Sequence, residues 1–388
     1  MTFEVTPEWV HVQYKETSQF TEVYGFAGSQ GMVNCEGLRY IPKGVPGKTL
    51  VVFMHPATTL QLLPMPRALA GAGVHVLCAG SRFAKNDAPL IMEKVALDLG
   101  AYIRHAREKW GYEKILLAGW SGGGSLSLFY QAQAEKPTVT STPAGDPVDL
   151  KAANLIAADA MVFQAAHLSR ARMLSEWIDP SVIDEGDPDN RNLELDIYNP
   201  KCPHQPPYSA DFIRAFRAAQ LARLRRRTAF VRETLQKLKK LGTGEVERGF
   251  VTFRTMADLR FLDPAIDPND RKPRWCYLGN PETANTGPVG LARFSTLRAW
   301  LSQWSEESNA DGPRSAASIT VPFLAVENSA DDAVPQPHTK IIHDAAASED
   351  KTMKVIKGAT HYYHGQPAQL QEALDVWVGW MRKQKLMD

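Results

Sequence analysis

The chain is poor in cysteine. Four are present in 388 residues, Cys35, Cys78, Cys202 and Cys276. None forms a CxxC pair, so neither a zinc site nor a dense disulfide framework is indicated. Cys78 sits in an apolar stretch, residues 74–79, and reads as a buried core thiol in a reducing compartment. Long hydrophobic runs are also missing: none approaches the ~20 residues a membrane helix needs. The opening MTFEVTPEWVHVQYKE has neither the basic start nor the apolar stretch of a secretory leader. The cytoplasm is therefore the expected location. An excess of one charge is lacking too, the formal net charge being +1. Nothing global points to nucleic acid or an anionic membrane as partner.

What is present is an ordinary globular composition, 44% hydrophobic and 22% charged. The length suits one large domain with an insertion, or two domains. Short, nearly continuous apolar runs lie at residues 49–55 (TLVVFMH), 74–80 (VHVLCAG), 114–120 (KILLAGW), 154–163 (NLIAADAMVF), 321–328 (VPFLAVEN) and 353–358 (MKVIKG). Strands covered on both faces by helices read this way. Helical segments are expected at 60–72, 89–110, 123–134 and 367–385. The last carries Leu370, Leu374, Trp377 and Met381 on one face. This alternation predicts an α/β fold with a mostly parallel central sheet flanked by helices. Segments 22–26 and 32–41 are candidates for antiparallel strands opening the sheet.

The alternation stops after Phe163 and resumes at Ile319. About 155 residues are too many for a loop. Residues 165–317 are read as a mainly helical lid inserted between two parts of a core, 1–164 and 318–388. Apolar residues at helical steps over 211–241 predict one long helix or two in sequence. Within it, RLRRR at 223–227 reads as a solvated helix face. Trp177, Trp275, Trp300 and Trp304 suit either an apolar pocket or the lid core. Cys202-Pro203-His204 is too sparse for a metal site. No cofactor and no metal are expected.

The sharpest local signal is Gly119-Trp120-Ser121-Gly122-Gly123-Gly124, where a strand meets a helix. That is the context a G-x-S-x-G nucleophile turn requires. Small neighbours let the chain turn tightly and leave the hydroxyl exposed. The stretch does not fit GxGxxG, and it lacks the Lys-Ser/Thr of a phosphate-binding loop. Ser121 is the candidate nucleophile.

A serine hydroxyl needs a base, and the base needs an orienting carboxylate. Past the run 321–328 comes Ser329-Ala330-Asp331-Asp332-Ala333-Val334-Pro335. Asp331 is the preferred acid, with Asp332 and Asp159 as alternatives. Past the run 353–358 comes Ala359-Thr360-His361-Tyr362-Tyr363-His364. His361 is the preferred base and His364 its rival. An oxyanion hole needs two backbone N–H donors. Gly122 follows the nucleophile and supplies one. Pro56 has no N–H, so Ala57 is the preferred second donor, with Thr58 as alternative. His55 reads as a brace for that loop.

The ordered set HPATT, GWSGGG, SADDAVP and GATHYYH resembles the α/β-hydrolase superfamily over residues ~25–165 and ~317–388. Two departures are His-Pro where His-Gly is commoner, and an extra glycine in the turn. The resemblance implies acyl transfer to water through an acyl-serine, with Ser121, Asp331 and His361 as the triad. The expected function is hydrolysis of a carboxylic ester or lactone, on a small hydrophobic substrate. The alternatives are carbon–carbon bond hydrolysis, acyl transfer or amide hydrolysis by the same triad, and a non-catalytic binding protein on this fold. The oligomeric state is left open, a homodimer included.

Overall fold

The computed structural model describes residues 2–16 and 31–387. An antiparallel pair opens the sheet, β1 (Val5–Lys15) against β2 (Met32–Pro42). The expected strand at 32–41 is β2, while its companion at 22–26 lies outside the described residues. β1 was not expected. Only Val10 and Val12 of its eleven residues are buried, so its apolar alternation is short.

From there strands and helices alternate. β3 (Thr49–His55) leads through α1 (Pro64–Gly71) to β4 (His75–Gly80), then α2 (Met92–Glu108) and β5 (Lys114–Ser121). α3 (Gly122–Glu135) follows without a break, and then β6 (Ala160–Ala166). The strand expected at 154–163 starts later, at Ala160. The polar Asn154 and Asp159 belong to the loop before it, where Asp159 accepts the Ile115 N–H at 2.7 Å.

A long insertion comes next. It holds α4 (Arg170–Trp177), a hairpin of β7 (Val182–Asp184) and β8 (Asp187–Arg191), and α5 (Ala210–Leu241). β9 (Gly249–Val251), α6 (Pro281–Thr286), β10 (Phe294–Thr296), α7 (Leu297–Gln303) and α8 (Gly312–Ala316) complete it, with β9 and β10 paired. The chain then returns to the sheet as β11 (Phe323–Asn328), α9 (Pro337–Ala345), β12 (Lys351–Ile356) and α10 (Pro367–Lys383).

The sheet has eight strands in the order β1-β2-β4-β3-β5-β6-β11-β12. β2 is antiparallel to both neighbours, and the pairings from β4 to β12 are parallel. Both faces of β3 to β6 are covered, which is why these strands are mostly apolar, whereas the edge strand β12 is largely uncovered and carries Lys351, Thr352 and Lys354. On one face Val52, Leu77 and Leu117 meet α2 and α3 through Val95, Leu99 and Phe129. On the other, Val51, Leu116 and Val162 meet α1 and α10 through Leu69, Trp377 and Met381. This layering is the architecture predicted.

α5 is one uninterrupted helix of 32 residues. The Ser209 hydroxyl caps its start by accepting the Phe212 N–H, and Gly242 ends it in a left-handed turn. Its basic cluster corrects the solvated-face reading. Arg223 and Arg227, one turn apart, are buried, and only Arg225 and Arg226 face outward. The Arg223 guanidinium pairs with Glu185 at 2.8 Å and donates to the Asp179 carbonyl at 2.7 Å. No described helix is long and apolar enough to cross a membrane.

Candidate active site

Ser121 ends β5 with φ 52° and ψ −127°, a conformation a residue with a side chain rarely adopts. The surrounding glycines explain how the turn is accommodated. A Cβ on Gly119 would lie 2.6 Å from the Gly124 Cα, and one on Gly123 would run into the Met54 carbonyl oxygen. One on Gly124 would strike the Ala166 methyl. The helix therefore packs backbone to backbone on β5 and β3 and against the Ala166 and Phe163 side chains of β6, and the serine is held at the carboxyl end of the sheet.

Asp331 and His361 meet at the same end. Both are buried, and the His361 Nδ1–H donates to the Asp331 carboxylate at 3.0 Å. A carboxylate only accepts, so this bond places the proton on Nδ1 and leaves Nε2 as the basic nitrogen. Nε2 is buried and has no hydrogen-bond partner among the described residues. The Asp331 carboxylate also accepts the Ala333 and Val334 N–H groups at 2.8 and 2.7 Å. Arg271, from the insertion, clamps the acid loop by donating to the Asp331 carbonyl at 2.7 Å. The base loop is tied to β11, where Asn328 donates to the Thr360 carbonyl at 2.9 Å. The Ala330 N–H likewise donates to the Ala359 carbonyl at 2.9 Å.

Neither alternative acid bonds the His361 ring. Asp332 accepts the Trp275 Nε1–H at 3.1 Å. Burial, then the charge of Asp331, raises its pKa. Asp159 precedes β6, at the opposite end of the strands from Ser121. His364 is exposed.

Ser121, His361, His55, Ala57 and Thr58 line one cavity of about 400 Å³. His55 does more than brace its loop. Its Nδ1 accepts the N–H groups of both Ala57 and Thr58 at 3.1 Å, so it is unprotonated and Nε2 carries the hydrogen. Burial, with the nearby Arg170 and His361 charges, lowers its pKa to about 3, so it is neutral near pH 7. The Ala57 amide is thus engaged by the ring rather than turned to the cavity. The loop is also held by Ser81, whose hydroxyl donates to the Pro56 carbonyl at 2.6 Å.

The insertion supplies the rest of the lining. Arg170, Trp177, Tyr277 and Trp304 reach the cavity. The four insertion tryptophans divide. Trp177 and Trp304 line the cavity, Trp300 packs in the insertion's own core, and Trp275 is exposed. Sequence reasoning missed Arg170 and Arg271. Neither lies in a motif, and only tertiary contact brings them to the site.

No family model matches the chain, and no curated protein matches it. Solved structures do. A structure described as DcsB in complex with its substrate analogue is 14% identical, with 97% of this chain and 99% of that chain covered and a TM-score of 0.53. Est1E from Butyrivibrio proteoclasticus is 13% identical, with 92% and 96% covered and a TM-score of 0.48. An alpha/beta fold family hydrolase from Bacillus anthracis is 14% identical, with 94% and 98% covered and a TM-score of 0.41. At such identities the likeness is one of fold. The chain has the α/β-hydrolase fold, with its mostly parallel eight-stranded sheet and the serine turn at the end of β5.

Proposed function

We propose that the protein is a serine hydrolase cleaving a carboxylic ester or lactone through an acyl-Ser121 intermediate. The observation that carries this reading is the buried Asp331–His361 pair, whose histidine lines the same cavity as the strained Ser121 and has no partner for Nε2 among the described residues. In the first step the Ser121 hydroxyl oxygen attacks the substrate carbonyl carbon, and His361 Nε2 takes the hydroxyl proton. Asp331 stabilises the imidazolium that forms. The Gly122 N–H faces the developing oxyanion, and the Ala57 N–H joins it on leaving the His55 ring. Collapse breaks the bond to the leaving alkoxide, which receives the proton from His361. Water then attacks the acyl-serine with His361 again as base, releasing the acid and restoring Ser121. The insertion acts as a lid that sets substrate size and excludes water.

Two measurements test this. A fluorophosphonate should label Ser121 alone. A panel of p-nitrophenyl esters, lactones and activated diketones should give turnover with the oxygen esters, and product analysis should find free acid. An unlabelled, correctly folded protein would defeat the reading. Turnover confined to diketones would move it to carbon–carbon bond hydrolysis.

A further inference from the structure

One charged group in the cavity takes no part in the chemistry above. Arg170 is 5% exposed and lines the same cavity as Ser121 and His361. Its guanidinium lies over the Trp304 ring, 4.2 Å from the centroid. One Nη2–H donates to the Asp87 carboxylate at 2.6 Å. Its Nε–H is buried with no partner among the described residues. A guanidinium carries five N–H donors in a planar fork that matches a carboxylate in a two-point bond. Here the fork is stacked and oriented, and most of it is unspent.

Its placement is not explained by helix stability. Arg170 is the first residue of α4, where a positive charge opposes the helix dipole. Asp87 does not fully neutralise the site either. Its side chain is 42% exposed, and Lys85 brings a second positive charge to the lining. Two of the lining histidines add no charge. Burial holds His55 and His167 neutral near pH 7, with Arg170 adding to both shifts. The remaining wall is largely apolar, with Met173, Trp177, Leu291 and Trp304. The cavity thus joins an apolar body to a fixed cationic anchor.

We propose that Arg170 binds a carboxylate on the substrate, remote from the scissile bond, so that the preferred substrates are esters or lactones with an apolar chain ending in an acid group. This rests on the serine-hydrolase reading and narrows its substrate class. Arg170 acts in binding and orientation, while Ser121 and His361 act on the carbonyl.

The test uses the full chain and mono-p-nitrophenyl esters of straight-chain diacids, from adipate to sebacate, against the same esters with the far acid methyl-capped. The free-acid ester is expected to lead its capped twin by tenfold or more in kcat/KM for at least one length, mainly through KM. Arg170→Met should bring that ratio to about one, and Arg170→Lys should keep part of it. Asp87→Asn frees the fork and should lower KM for the free-acid ester. A purely structural Arg170–Asp87 pair would instead lower Tm and leave the ratio alone. Asp87→Asn keeps the test decisive if Arg170→Met does not fold. Capped esters equal to or ahead of the free acids at every length would overturn the proposal, as would a ratio unmoved by Arg170→Met. Fluorophosphonate labelling separates the two readings. A labelled enzyme indifferent to the acid group sinks only the carboxylate anchor, whereas an unlabelled enzyme without turnover sinks both.

Discussion

The His55 ring lies against Gly122: a Cβ on that glycine would fall 2.6 Å from His55 Nε2. The same ring holds the Ala57 and Thr58 amides through Nδ1. One neutral imidazole therefore connects the two segments that would form the oxyanion hole. The glycine at 122 acquires a reason here, because an added side chain would push the His55 ring aside.

Ser121→Ala should remove nearly all ester turnover, roughly a million-fold, as loss of a triad nucleophile does. Ser121→Gly should be equally inactive but more stable by about 1 kcal/mol, because glycine adopts φ 52°, ψ −127° without strain. Melting temperatures of the two variants check this. Equal values would show that the turn stores no strain.

The turn glycines should separate by what they touch. Gly123→Ala drives a methyl into the Met54 backbone carbonyl, which cannot move without displacing β3. It should yield little folded protein. Gly122→Ala meets only the His55 ring, a movable side chain. It should fold, and lose activity by about 10–100-fold as the Ala57–Thr58 loop shifts, at most the lower end of the roughly 100–1000-fold cost of a lost oxyanion donor. Soluble yield and kcat are the readouts. A fully active Gly122→Ala would dissociate His55 from catalysis.

Much of this was legible because motif and element coincide. KILLAGW runs straight into SGGG, so a strand–turn–helix with serine at its apex follows from local sequence. Asp331 and His361 each stand just past a strand. Arg170, Arg271 and the buried Arg223 were not legible, since an arginine's burial depends on which distant carbonyls and carboxylates meet it. β1 was hidden for another reason: an edge strand with one covered face shows few apolar residues. The bond between His55 and the Ala57 amide is a matter of loop conformation, which spacing does not encode.

The paired acids give a sharp contrast. Asp331→Asn replaces the acceptor of the His361 Nδ1–H by an amide that can favour the wrong tautomer, at a cost near ten-thousand-fold in kcat. Asp332→Asn keeps an oxygen for the Trp275 Nε1–H and should cost little. The check is kcat for both with one good ester, after confirming similar melting temperatures. A crippled Asp332→Asn with an active Asp331→Asn would reverse the assignment.

His55 should also make the fold acid-sensitive in a defined window. Its pKa is lowered by burial from the usual 6.5 to about 3, so the unfolded chain takes up a proton that the folded chain refuses. Its contribution is fully present above pH 6.5 and declines as pH falls toward 3. At pH 5 the loss is about 2 kcal/mol, the free energy of protonating an ordinary histidine in the unfolded state. His55→Gln offers a side-chain oxygen to the Ala57 and Thr58 amides and cannot titrate. Stability measured by urea unfolding at pH 7.5 and pH 5 should therefore fall less in the variant, by about 2 kcal/mol. His167, also held neutral by burial, remains in both proteins and cancels in the difference. Equal pH dependence in the two proteins would mean that His55 is solvated and charges freely. A neutral ring holding the Ala57–Thr58 loop would then be lost as an explanation.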